Sequence, residues 1–489
     1  MKTNSKLLFL SLCTLSLSSC MGATKGGYNN YAPINQGYDF YPSEAVYNGK
    51  DVIYENPYVD VSEQKTNNIS LTSSTFAYPS VREAINQNRY DTAKNYVRTE
   101  EMLNYFSYNY VNDTDDALTT KLELAKCPWN EETYLASVVV KAQPAKIQGV
   151  KNNIVILVDR SGSMSGIFPL VKTSLRTLVS KLTENDTVSM VSYASGMSIE
   201  CEALTGKDKN KLNKIIDNMT ASGGTYGEGG IEKAYEIAYK HFIEGGNNRV
   251  VLLTDGDFNI GKVSGDELTK LIKNKAADGM YLTCCGYRSH DNNTLYTLSE
   301  NGNGNAYYID GELEATKVFE EEFGKSMFVV AKDSKCQVEF SDDVTSYRLL
   351  GYENRQMSDD EFNDDKKDAG EIMSDHTTVA LYELNLKEER TKDYIFKTTL
   401  RYKDPLTNEN KEITNIKNDI SVSRQSDYAF AIYVAEYCLT LIDSQYKGLS
   451  SYDHLLRRIN SNYINDGYRD DFVSIVRKSQ QLSSDDYSY

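Results

Sequence analysis

The chain has 489 residues, 40% of them hydrophobic, and a net charge of −17. That length calls for two or three domains, and the apolar content supplies real cores, which excludes a disordered chain. So acidic a chain offers no basic stripe to phosphates, which excludes nucleic acid as a partner.

The first element is a targeting segment. Lys2 and Lys6 form a positive n-region, and Leu7 to Leu17 a short apolar h-region that ends in Leu17-Ser18-Ser19-Cys20. It is too short to span a bilayer as a mature helix. Its end resembles a bacterial lipobox, which makes Cys20 the lipid-bearing new N-terminus, residues 1–20 the signal peptide and the lipid the only membrane anchor. Residues 21–57 are rich in Gly, Asn and Tyr, with seven tyrosines from Tyr28 to Tyr58, and read as a flexible tether. Met21-Gly22-Ala23-Thr24 lacks the acidic run of some surface-export signals. The expected location is therefore the outer membrane, facing the periplasm, with the cell surface as the alternative.

Residues 58–151 read as a small α+β module. Val81–Gln87 and Thr99–Tyr108 are helical in pattern, and Leu118–Ala125 and Tyr134–Ala142 alternate like strands. Trp129, beside Pro128, is the only tryptophan and reads as a packing anchor. Residues 152–330 alternate strand and helix. The strands are Ile154–Asp159, Thr187–Tyr193, Arg249–Thr254, Met280–Gly286 and Ala306–Ile309, with helices starting near Ile167, Lys209, Gly229, Gly265, Asn292 and Glu312. This is the pattern of an α/β domain, a mainly parallel sheet with helices on both faces. Residues 331–489 read as strands and then helices: Lys335–Phe340, Ser346–Tyr352, Thr377–Leu386 and Tyr394–Tyr402, followed by Tyr428–Ile442, Tyr452–Tyr463 and Asp471–Gln481. The flanking strands are expected to join in one β-sandwich into which the α/β domain is inserted. Beyond the signal and Cys20, six scattered cysteines show no metal-ligand spacing, and their disulfide state is open.

The chemistry concentrates at strand ends. Asp159-Arg160-Ser161-Gly162-Ser163 follows the first strand of the α/β domain; Thr225 sits in the loop Ser222-Gly223-Gly224-Thr225-Tyr226-Gly227; Asp255 ends another strand, before Gly256. In such sheets ligands gather beyond the carboxyl ends of the strands. One carboxylate and two hydroxyls at alternate loop positions suit a hard cation. Ser161 and Ser163 would bind it directly, Thr225 directly or through water, and Asp159 and Asp255 through water or from a second shell. Mg²⁺ fits best, because it keeps several waters and takes few carboxylates; Mn²⁺ and Ca²⁺ are alternatives.

Asp-x-Ser-x-Ser, then a loop Thr, then Thr-Asp-Gly, resembles the metal-ion-dependent adhesion site of von Willebrand factor A domains. Other strings are similar to a bacterial von Willebrand A lipoprotein family. They include Glu55-Asn56-Pro57-Tyr58-Val59, Glu100-Glu101-Met102-Leu103, Cys127-Pro128-Trp129-Asn130, Gly351-Tyr352-Glu353-Asn354-Arg355 and Asp368-Ala369-Gly370-Glu371-Ile372. The resemblance implies a Rossmann-like A domain between an N-terminal module and a C-terminal domain of undefined role, in a protein of the cell envelope. It departs at Arg160, where small apolar residues are usual, and at Tyr226, where Asn is common. Arg160 places a positive charge near the metal.

Competing readings are weaker. Gly256 to Lys262 has phosphate-loop spacing, but Val263 stands where Ser or Thr would hold Mg²⁺. Gly162-Ser163-Met164-Ser165-Gly166 imitates a nucleophile elbow with Met164 at its centre. The acidic run from Asp359 to Asp368 lacks EF-hand spacing. The chain is expected to be a non-enzymatic protein that binds a partner's Asp or Glu through the metal; a metal-dependent hydrolase is the alternative.

Overall fold

In the computed structural model the described residues are 55–485, apart from 113, 146–149, 226, 257–264, 288–291, 323–327, 368, 406, 423–426 and 460–465. The signal peptide, Cys20 and the tether to residue 54 lie outside them.

The α/β domain is built on six strands: β1 (Asn152–Asp159), β2 (Asp186–Tyr193), β3 (Met197–Thr205), β4 (Asn247–Thr254), β5 (Met280–Gly286) and β6 (Ala306–Tyr308). Their order in the sheet is β6-β5-β4-β1-β2-β3. All neighbours are parallel except β3, which runs back against β2 as the edge strand. Along β1, Ile154, Ile156 and Val158 face one core while Val155 and Leu157 face another. Such two-sided burial explains why β1 is a continuous apolar run. The first core is covered by α1 (Phe168–Lys181) and α2 (Lys209–Asn218), the second by α3 (Gly227–Lys240), α4 (Gly265–Ala277) and α5 (Asn292–Asn301).

The segments before and after this domain share both sheets of a sandwich. Leu118–Lys126 and Tyr134–Ala142 pair with each other, and Tyr134–Ala142 pairs with Thr377–Leu386, which continues to Val344–Leu350 and Val59–Asp60. In the second sheet Thr66–Ser70 lies between Gln356–Met357 and Val329–Phe340, and the latter pairs on to Phe396–Lys403 and Asn410–Lys417. One core, including Ile69, Val138, Val338, Phe340, Tyr382 and Leu400, fills the space between the sheets. The α/β domain is thus an insertion between paired strands.

A helical layer closes the outer face of the first sheet. Its helices are Ala77–Asn86, Thr99–Asn104, Tyr428–Leu441, Tyr452–Ile459 and Gly467–Asp485, packed with Leu135, Val139 and Leu381 of the sheet. Tyr428–Leu441 is apolar nearly all round and is buried accordingly. Trp129 is fully buried there, its indole N–H 3.4 Å from Glu383 Oε2 and its carbonyl accepting from the Leu449 amide at 2.9 Å.

The α/β domain is pinned to this layer by charge. Arg82, 4% exposed, donates to both oxygens of Asp310 at 2.6 and 2.7 Å, to Glu314 at 2.7 Å and to Asp471 at 3.0 Å. Asp310 and Glu314 follow β6, whereas Asp471 belongs to the last helix. The six cysteines from Cys127 to Cys438 are all buried thiols. Among the described residues no helix is long and apolar enough to cross a membrane.

Candidate metal centre

Asp159 ends β1 at the centre of the sheet and has no exposed surface. Its Oδ1 accepts the Ser161 amide at 2.8 Å, so the loop turns back over its own carboxylate. Its Oδ2 accepts two hydroxyls, Tyr193 from β2 at 2.9 Å and Thr254 from β4 at 3.0 Å. Burial pushes this carboxyl up from its usual range, and the hydrogen bonds from Ser161, Tyr193 and Thr254 oppose that shift. The carboxylate is therefore a brace joining three strand ends, with both oxygens engaged.

The loop then places its hydroxyls. Residues Gly162–Gly166 form a short 3₁₀ turn, in which Met164 is buried and Ser163 is exposed. The Ser161 and Ser163 Oγ atoms lie 3.0 Å apart. Two oxygens on adjacent corners of an octahedron around Mg²⁺, each bound at about 2.0–2.1 Å, are about 2.8–3.0 Å apart. The pair thus fits the spacing that such an ion demands. Because Met164 is buried at the centre of the turn, the nucleophile-elbow reading fails.

The Gly-rich loop is bound to the first one by backbone. The Gly162 amide donates to Gly223 O at 2.9 Å, and the Ser222 amide to Arg160 O at 2.7 Å. Gly223 has φ +96°, and a Cβ there would come within 2.7 Å of Ser195 Oγ. That hydroxyl instead accepts the Gly224 amide at 2.8 Å. Thr225, partly buried, follows directly, and Tyr226 lies outside the described residues. Asp255, 2% exposed, is held next to Thr254 and before Gly256, whose φ of +90° turns the chain.

The structure therefore bonds Asp159, Ser161 and Ser163 together, ties the loop of Thr225 to them, and sets Asp255 one residue from a donor to Asp159. Sequence reasoning missed two supports, Tyr193 and Ser195, and gave Thr254, though part of the Thr-Asp-Gly string, no role. Tyr193 and Thr254 carried a readable signal, since each is a polar residue closing an apolar strand beside the motif. Ser195 carried none.

Arg160 is not free to act on a ligand. Its guanidinium donates to Thr220 O at 2.8 Å, Ser192 Oγ at 3.3 Å and Glu200 at 2.9 Å, so its charge is paired within the domain. The other candidate motifs resolve structurally. Asp359–Asn363 is a short helix capped by Ser358 and Glu361, and Asp359 accepts from Asn68 at 2.7 Å. Most of Gly256 to Lys262 lies outside the described residues, as do Asp368 and His290. Of the remaining histidines, His241 bonds Glu202, His454 bonds Glu436, and His376 is pushed down to about 3 by burial.

Strand order, loop placement and the Asp-x-Ser-x-Ser turn define a von Willebrand factor A-domain protein. Three family models match along the chain: von Willebrand factor type A domain over residues 153–321, von Willebrand factor over 46–137, and the C-terminal region of YfbK over 325–395 and 385–482. The uncharacterized protein YfbK of Escherichia coli K12 is 32% identical over 457 residues, 86% of this chain and 79% of the relative. The chain belongs to the YfbK family. A second relative, the uncharacterized protein sll0103 of Synechocystis, is 24% identical over 307 residues, 59% of this chain and 70% of its own length. Among solved structures, a von Willebrand factor type A protein from Catenulispora acidiphila has a TM-score of 0.42 and 14% identity, covering 76% of this chain and 92% of that one.

Proposed function

We propose that this A domain binds Mg²⁺ through Ser161, Ser163 and Thr225, with Asp159 and Asp255 behind them, and takes a carboxylate from a protein partner on the open position. The 3.0 Å separation of the two serine hydroxyls, on a loop fixed by a buried carboxylate, carries this reading. With hydroxyls supplying the direct bonds, little negative charge reaches the ion, so an incoming Asp or Glu is attracted strongly. Both oxygens of Asp159 already accept hydrogen bonds, so it is not offered as a general base. This favours binding over hydrolysis. Mn²⁺ or Ca²⁺ would occupy the same oxygens. A lipid on Cys20 would hold the domain at the outer membrane, facing the periplasm, for a scaffolding, assembly or adhesion role.

Calorimetric titration of the full chain with Mg²⁺, beside Ser163→Ala and Thr225→Ala, tests the reading. Ser163 is exposed, so its variant should stay folded. Saturable binding that weakens in both folded variants is expected. Equal binding in all three chains places the ion elsewhere and defeats the proposal.

A further inference from the structure

The edge strand β3 carries two large apolar side chains in the open. Met197 is 49% and Ile199 48% exposed. Single exposed apolar residues are ordinary, but these two stand side by side on one face. Met197 lies opposite Tyr193 and Ile199 opposite Val191, and directly opposed residues share a sheet face. Tyr193 and Val191 belong to the core under α3, so Met197 and Ile199 carry that apolar face past the edge of the sheet.

This stretch adjoins the metal loops. Ser195, two residues before Met197, holds the Gly224 amide, and Tyr193, across the ladder, holds Asp159. Edge strands are usually protected by bulges or charges. Here one register shift begins directly after Ile199, with Glu200 as the extra residue between the Val191–Ile199 and Met190–Cys201 pairs, and a second lies between Val188 and Met190. The acidic residues of the strand are also engaged, Glu200 by Arg160 and Ser192, and Glu202 by Lys240 and His241. Met197 to Ile199 is thus a three-residue apolar piece of sheet edge, in regular register with Tyr193 to Val191 and two strands from β1, at the end of the sheet where the site lies.

We propose that the partner segment which gives its carboxylate to the metal continues as an extended strand along β3 and seats an apolar side chain on Met197 and Ile199. This rests on the metal-site reading above and specifies the ligand of that site. Backbone groups of an edge strand supply affinity to an added strand, while side-chain pockets at alternate positions select its sequence. The chain's charge of −17 disfavours an acidic tract, so the matching segment has one Asp or Glu flanked by apolar residues.

The test uses the full chain and immobilised synthetic hexapeptides with one fixed Asp, whose neighbouring positions carry Leu or Ile, Ser, Lys or Glu. Retention is measured in Mg²⁺ and in chelator, for wild type and for a Met197→Ser, Ile199→Ser double variant with folding checked by circular dichroism. In Mg²⁺, wild type should retain Leu- and Ile-flanked peptides at least about tenfold better than Ser-flanked ones, as burial of such side chains implies. The double variant should lose that preference and still bind Mg²⁺ by calorimetry. An unchanged preference in the double variant overturns the inference, as does a wild type that binds Mg²⁺ but retains no peptide. A wild type that binds no Mg²⁺ overturns the metal-site reading itself, and this inference with it.

Discussion

Tyr193 donates its hydroxyl to Asp159 Oδ2 at 2.9 Å, and both residues are cut off from solvent. The contact joins the ends of two neighbouring parallel strands beneath the loop of Ser161 and Ser163. Three neutral donors, the Ser161 amide and the Tyr193 and Thr254 hydroxyls, satisfy this buried carboxylate.

Tyr193→Phe should therefore lower stability by about 1.5–3 kcal/mol, the range for a lost hydrogen bond to a charged group. The ring stays in place, so the core under α3 is preserved. Denaturant unfolding gives the stability change. Mg²⁺ affinity should fall in parallel, because the brace beneath Ser161 loosens.

Gly223→Ala should weaken the proposed Mg²⁺ binding while leaving every proposed ligand in place. Its φ of +96° costs an L-residue about 1–2 kcal/mol, and the new methyl would press on Ser195 Oγ. Gly196→Ala is the control, since nothing lies within 4 Å of a Cβ there. Calorimetry should show reduced affinity in the first variant and wild-type affinity in the second.

Glu101 gives a pH signature remote from the proposed metal site. It is 5% exposed and accepts the Ala77 amide at 3.0 Å. Burial, with neighbouring Glu100, pushes its carboxyl from 4.5 up to about 7. A carboxyl raised in this way favours the folded state while it holds its proton. The contribution is complete below pH 4.5 and is lost as pH rises through about 7. Over that window Glu101→Gln should flatten the fall in stability, by an amount on the order of 3 kcal/mol at most. Chemical denaturation at several pH values reads this directly; equal slopes in both chains would refute it.

Arg82→Met should cost about 3–5 kcal/mol, because it strands Asp310 and Glu314 as buried carboxylates without their cation. Lys65→Met, which breaks an exposed pair with Asp342, should leave the melting temperature unchanged. Scanning calorimetry of the two variants separates a buried network from a surface contact.

Much of the α/β domain was legible because its signals are local. Apolar runs such as Ile154 to Val158 read as buried strands wherever they occur, and the candidate metal motif sits on their ends. β3 was missed although Met197, Ile199 and Cys201 recur at alternate positions. Its edge position leaves much of it half-exposed, and the bulge near Met190 interrupts the period. Thr66–Ser70 was hidden for a different reason. Asn67 and Asn68 are buried polar residues whose partners, Gln356 and Asp359, lie some 290 positions away. No local window contains that information. Ser195 was likewise silent, since its role exists only once two loops have met.

The insertion also sets the order in which the chain can mature. Thr66–Ser70 finds its neighbour in Val329–Phe340, and Tyr134–Ala142 finds one of its own in Thr377–Leu386. A chain emerging N-terminus first presents these early strands before their C-terminal partners exist, while the A domain between them has all its own strands in hand. Pairings across so long a separation form slowly and leave apolar edges exposed meanwhile. The N-terminal module therefore completes its two sheets only once Val329–Phe340 and Thr377–Leu386 have been made.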